Sequence, residues 1–148
     1  MREPPTTIPA VLRSTRIVWS SLLIAQLLYI VAGRLFSQHA QPAQPPQSYI
    51  IAMTVVVVLT LTVALGLHLK LVRRSSQSLQ SKPTDAAAIA LWRRGLLLTM
   101  VLAELLSMIG FALQAIGMPL TLATRFYAAG LIAALFFYPK NPARIQTH

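Results

Sequence analysis

Glu104 lies ten positions beyond Arg94, in a stretch that is otherwise uncharged as far as Ile116. A helix entering a bilayer at Arg94 rises 1.5 Å per residue and carries Glu104 about 15 Å deep, near the midplane. A carboxyl at that depth persists only if it is protonated, ion-paired or hydrated, so it is a candidate for proton binding or for a buried ion pair. The other acids, Glu3 and Asp85, both fall outside the apolar stretches.

One basic residue stands within reach of that depth. Arg125 is six residues past Pro119, on a helix running the opposite way, and lies about 9 Å below its outer end. A Glu104–Arg125 pair would fix the register of two helices. Without it, Glu104 either binds a proton or turns toward lipid or a partner subunit. Gln26, Ser107 and Gln114 are the other polar membrane positions of interest; Gln114, Thr99 and Ser107 are able to hydrogen-bond between helices at about 0.6 kcal/mol each. His68, near an inner membrane edge, reads as an interfacial polar residue, since His39 and His148 are not placed to join it as haem ligands. With no cysteine, P-loop, HExxH motif or paired carboxylates, no catalytic residue, cofactor or metal site is expected, and the chain is not expected to be an enzyme.

The elements that position these residues follow from composition. Of 148 residues 55% are hydrophobic and 11% charged, against about a quarter charged in a soluble domain. A globule this small cannot hide so much apolar surface from water, whereas lipid can cover it. Four segments, at about 17–35, 49–69, 95–116 and 120–138, approach the roughly 20 residues that cross a ~30 Å hydrocarbon core. Helices are required, because a single chain of this size could otherwise span only as a closed barrel, and Val55-Val56-Val57-Val58 shows no alternation. The expected fold is all-α, a four-transmembrane-helix bundle in one membrane domain, with 70–94 as a cytoplasmic loop. The first apolar segment exceeds the 7–15 residues of a signal-peptide core and is read as a retained helix.

Charge sets the orientation. The net charge is +10, and the basic residues cluster at the edges of apolar runs rather than along one face. This pattern favours anionic head groups over nucleic acid, which is not an expected partner. With both termini cytoplasmic, Arg2, Arg13, Arg16, Lys70, Arg73, Arg74, Lys82, Arg93, Arg94, Lys140 and Arg144 are inside. Only Arg34 and Arg125 lie toward the outside. The segment 41–47, rich in proline and glutamine, reads as a polyproline-type outer loop, and Gly117-Met118-Pro119 as a tight outer turn. Thr84 or Asp85 is positioned to cap the third helix, and Trp19, Trp92, Tyr49 and Tyr138 fall at aromatic-belt depths. Small residues four apart, Ser21/Ala25, Ala103/Ser107, Ala129/Ala133 and Gly130/Ala134, favour close packing inside the bundle.

A shift of 78 residues places Arg16, Ala25, Gln26, Leu27, Leu28 and Tyr49 on Arg94, Ala103, Glu104, Leu105, Leu106 and Tyr127. This suggests two duplicated helical hairpins, one holding an amide and the other an acid. The segment Ala103-Glu104-Leu105-Leu106-Ser107-Met108-Ile109-Gly110-Phe111 is similar to the carboxylate helix of the rotary ATPase proteolipids, the c subunits. In those, a mid-membrane Ala-Glu pair is followed, six residues after the Glu, by Gly. A four-helix duplication with Gln in place of one acid resembles the V-type arrangement, and the pattern is that of small bacterial four-helix membrane proteins of this proteolipid-like kind. The resemblance covers about 25 residues and implies a mid-membrane acid flanked by small residues. No Gly-x-Gly-x-Gly repeat is present, the acid is in the third helix, and Arg125 is in the fourth.

Three functions are therefore expected, in this order: a structural or accessory subunit of a larger inner-membrane complex, or one that self-associates; a c-like proteolipid binding a proton at Glu104; and a small proton-coupled exporter. The second requires Glu104, Ser107 and Phe111 to form one outward stripe at i, i+3 and i+7. The bias of eleven basic residues against two opposes an exporter that inserts in both orientations.

Overall fold

The computed structural model describes residues 7–37 and 45–142. Glu3, Arg2, Arg144, His39, His148 and most of the proline-rich segment fall outside them. The described chain is helical: α1 (Ile8–Ser37), α2 (Gln47–Leu67), a π-helical turn (His68–Arg73), α3 (Arg74–Ser81), α4 (Ala86–Ala115) and α5 (Leu120–Phe136). α2, the π turn and α3 form one continuous helix, Gln47–Ser81, so the architecture is a four-helix bundle. α1, that long helix and α4 are each long and apolar enough to cross a membrane, and α5 is a shorter apolar helix.

The interval 70–94, expected as a loop, is helical apart from a turn at 82–85. Hydropathy marks where a helix leaves lipid, not where it ends. Ser, Gln, Arg and Leu sustain the helix into water until Pro83 interrupts it. Asp85 then caps α4, its carboxylate accepting from the backbone N–H of Ala87 at 2.9 Å and of Ala88 at 3.2 Å. At the other end of α4, Met118 N–H bonds Leu113 O at 3.0 Å and Gly117 N–H bonds Gln114 O at 3.1 Å. This is a Schellman closure, with Gly117 at φ 82° and Pro119 directly after it.

α4 is the hub, touching α1, α2, α3 and α5. α1 and α2 do not touch among the described residues, because α4 and α5 lie between them. The first two helices are thus consecutive in sequence but are not a packed hairpin. Two ends of the bundle have separate cores. Leu106, Leu113, Leu122 and Phe126 pack with Tyr49, Ile50 and Met53 at the end that carries the 117–119 turn. At the opposite end Val11, Leu12, Leu79, Ile89, Leu96 and Met100 enclose Trp92, which is only 1% exposed. Trp92 therefore does not serve the aromatic belt its depth suggested. The start of α1 and the residues of α3 close over it. Trp19 does bridge helices, donating to Ala134 O at 2.8 Å and meeting Tyr138 edge-on at 5.0 Å.

The small-residue stripes position α5 on α4. A Cβ on Gly130 would lie 2.9 Å from Ala103 O and would overlap the Ser107 hydroxyl; one on Gly110 would lie 3.0 Å from the Phe126 Cβ. The face of α5 toward α4 is therefore Ala123, Phe126, Tyr127, Gly130 and Ala134.

Candidate functional site

Glu104 is 7% exposed and faces α1, where Gln26 and Tyr29 are the side chains whose donors bear on its carboxyl. Neither carboxylate oxygen reaches hydrogen-bond geometry with a described residue, and Gln26 Oε1, itself buried, is equally without a partner. Three acceptor oxygens thus occupy one buried contact between two helices. Ser107, one turn on, is 1% exposed and turned to Gly130, its hydroxyl also unbonded. Phe111 stacks on Tyr29 with ring centroids 5.7 Å apart. The outward stripe expected of Glu104, Ser107 and Phe111 is therefore an inward one. Glu104 and Phe111 meet α1, and Ser107 meets α5.

Arg125 does not join the site. It is exposed on α5, two residues from both Ala123 and Tyr127, hence turned about 200° from each at 100° per residue. Those two residues face α4. Its height is also different, because Gly130 sits level with Ala103 and Ser107, and Arg125 is five residues, or about 7.5 Å, away along the axis. Equal depth estimated from two helix ends did not make the two side chains neighbours.

Gln114 belongs to a second polar cluster, two to three turns further toward the C-terminus of α4. The Tyr127 hydroxyl donates to Gln114 Oε1 at 3.0 Å and lies 3.3 Å from Tyr29 O. Gly33 makes room for it: a Cβ there would overlap Gln114 Oε1 and approach the Tyr127 oxygen to 2.7 Å. Neither Gly33 nor Tyr29 stands out in sequence, because each is defined only by the helix opposite.

No family model, curated protein or solved structure matches the chain. The internal relation is therefore the one that bears on the site. α1 and α4 both have 30 residues, and their boundaries coincide under the 78-residue shift, 8 with 86 and 37 with 115. Gln26 and Glu104, equivalent under that shift, come together across the α1–α4 contact. The contacts advance together from Val11 near Trp92, through Gln26 and Glu104, to Gly33 and Gln114. The two helices are parallel.

Among the described residues no three His, Cys, Asp or Glu side chains are grouped as metal ligands. The arrangement can hold a proton between a carboxyl and an amide, or a small cation among carboxylate, amide and phenol oxygens.

Proposed function

We propose that this chain is a small, non-enzymatic, multi-pass protein of the cytoplasmic membrane, with both termini cytoplasmic. In this reading it serves a larger membrane assembly as an accessory subunit, and its Gln26–Glu104 contact is a reversible proton-binding site. The observation that supports it is the orphaned state of Gln26 Oε1 and both Glu104 oxygens at one buried contact.

A carboxylate beside a primary amide can take hydrogen from Nε2 but leaves the amide oxygen without a donor. A carboxylic acid beside the same amide can form two reciprocal bonds, O–H to Gln26 Oε1 and Nε2–H to the other carboxyl oxygen. One proton then satisfies every polar atom of the pair, where each orphan would otherwise cost about 1–3 kcal/mol. An amide on one copy and an acid on the other suits this exchange, whereas two acids would repel and two amides would bind no proton.

The inward position of Glu104 favours an internal site over a lipid-facing rotor carboxylate. The charge bias continues to favour a single orientation over an exporter of dual topology.

Infrared spectroscopy on the reconstituted protein tests the assignment. A carbonyl stretch of a neutral carboxylic acid is expected near neutral pH, shifted in D2O, absent in Glu104→Gln and displaced in Gln26→Leu. Its replacement by carboxylate bands at higher pH would show the site emptying. A spectrum with carboxylate bands alone down to mildly acid pH would remove the proton from the proposal.

A further inference from the structure

The cytoplasmic ends of α2 and α5 enclose two adjoining cavities, of about 400 and 450 Å3, with His68, Val72, Ser76 and Phe136 in the walls of both. Their depth follows from the helix. His68 is 21 residues beyond Gln47, about 32 Å along the axis, where a ~30 Å hydrocarbon core gives way to head groups.

Charge in the two cavities has one sign. Lys140 lines the first and Arg73 the second, and no acid lines either. Among the described acids, Asp85 is held by its capping bonds at the start of α4 and Glu104 is buried against α1. Between the cations stands His68, fixed over Phe137 at 5.0 Å between ring centroids and close enough to Lys140 to interact with it electrostatically. Its Nδ1 is buried without a described hydrogen-bond partner. The π turn begins at this residue, and such turns recur where a helix carries a site.

Toward the bilayer the lining turns apolar. Leu65 on α2 and Phe136 on α5 are 43% and 65% exposed and continue the cavities along the lipid-facing side of these helices. A polar, cationic chamber at head-group depth opening onto an apolar slope fits an anion that carries hydrocarbon.

We propose that these cavities bind one anionic phospholipid, its phosphate held by Lys140, Arg73 and the His68 imidazole and an acyl chain lying along Leu65 and Phe136. The site is independent of the Gln26–Glu104 contact. It differs from general attraction of the basic surface to the leaflet, because Arg93 and Arg94, exposed nearby on α4, line neither cavity.

Native mass spectrometry of the full chain, released from mixed micelles with equal phosphatidylglycerol and phosphatidylcholine, tests this. One phosphatidylglycerol is expected to be retained in preference to phosphatidylcholine. Arg73→Gln with Lys140→Gln should reduce that preference at least tenfold, since each cation near a head group contributes about fivefold. Arg93→Gln with Arg94→Gln removes the same charge and should leave it unchanged. Circular dichroism and gel filtration confirm the fold of each variant; should the first double variant misfold, Lys140→Gln alone, beyond the end of α5, is expected to lose about fivefold. Equal loss in both pairs, or equal retention of the two lipids, would overturn the proposal. Binding of inorganic phosphate in place of the lipid at matched ionic strength would overturn the lipid assignment and leave a free-phosphate site.

Discussion

The Tyr127 hydroxyl donates to Oε1 of Gln114 at 3.0 Å, and both groups are buried. The bond ties α5 to the outer part of α4, and the approach of Tyr127 to Tyr29 O brings α1 into the same cluster. Space for it depends on Gly33, whose missing side chain lets α1 close on the pair.

Tyr127→Phe should therefore lower stability by about 0.6–1.7 kcal/mol, the span measured for interhelical hydrogen bonds in membranes. Gly33→Ala should cost at least as much, because its methyl displaces the Gln114 side-chain oxygen and the Tyr127 hydroxyl and so breaks the same bond. Unfolding in mixed micelles reads both. A Gly33→Ala variant as stable as the parent would show that α1 does not pack this closely.

Gly130 sets the distance between α4 and α5. A methyl there meets Ala103 O, which is backbone, as well as the Ser107 hydroxyl. Gly130→Ala should cost about 1–3 kcal/mol, as overpacking does. Adding Ser107→Ala should recover only part of the loss, since the carbonyl cannot move aside. Full recovery would mean that the side chain alone is the obstacle.

Arg125 should be energetically separate from Glu104. Arg125→Gln and Glu104→Gln are expected to act additively, within about 0.5 kcal/mol, as distant sites do. Neutralising Arg125 should by itself change stability little. A coupling above 1 kcal/mol would restore an ion pair between them.

The all-helical class and the number of helices are legible in the sequence. Each depends on hydropathy or on residue count along one helix. The partner of Glu104 is not legible this way. Depth along the axis was available for Arg125, but a pair also needs a shared azimuth, and the stripe through Ala123, Phe126, Tyr127, Gly130 and Ala134 leaves Arg125 on the opposite face. Gly130 and Ala134 already marked that stripe, so the signal was present in the small residues. Gln26 was identified through the 78-residue shift, but nothing in one dimension says that equivalent positions touch. The helical continuation from 70 to 81 was hidden for a different reason, whereas the start at Asp85 was marked by its capping residue. Its polarity reflects the water around it, and backbone hydrogen bonds persist there regardless.

Orientation can be tested without background, because the chain has no cysteine. A single cysteine replacing Gln44 should react with an impermeant maleimide added outside intact cells. One replacing Gln77 should react only after the membrane is opened. The opposite pattern would reverse the orientation, and reaction of both from outside would break the four-span topology.

The final expectation comes from the parallel approach of α1 and α4. Since Gln26 and Glu104 occupy equivalent positions on parallel helices, acid and amide should be exchangeable. Gln26→Leu leaves Glu104 without its amide and should cost about 1–3 kcal/mol. Gln26→Glu alone places two carboxyls at one contact, where they can be stable only by sharing a proton, and its stability should fall as pH rises. The double exchange, Gln26→Glu with Glu104→Gln, restores one acid and one amide and therefore one proton and two reciprocal bonds. Its stability should return to within about 1 kcal/mol of the parent, and the neutral-acid carbonyl band should reappear. A pair that acts through volume alone would tolerate Gln26→Leu and gain nothing from the exchange. A double variant no better than the sum of its singles would show that the two positions do not share a proton.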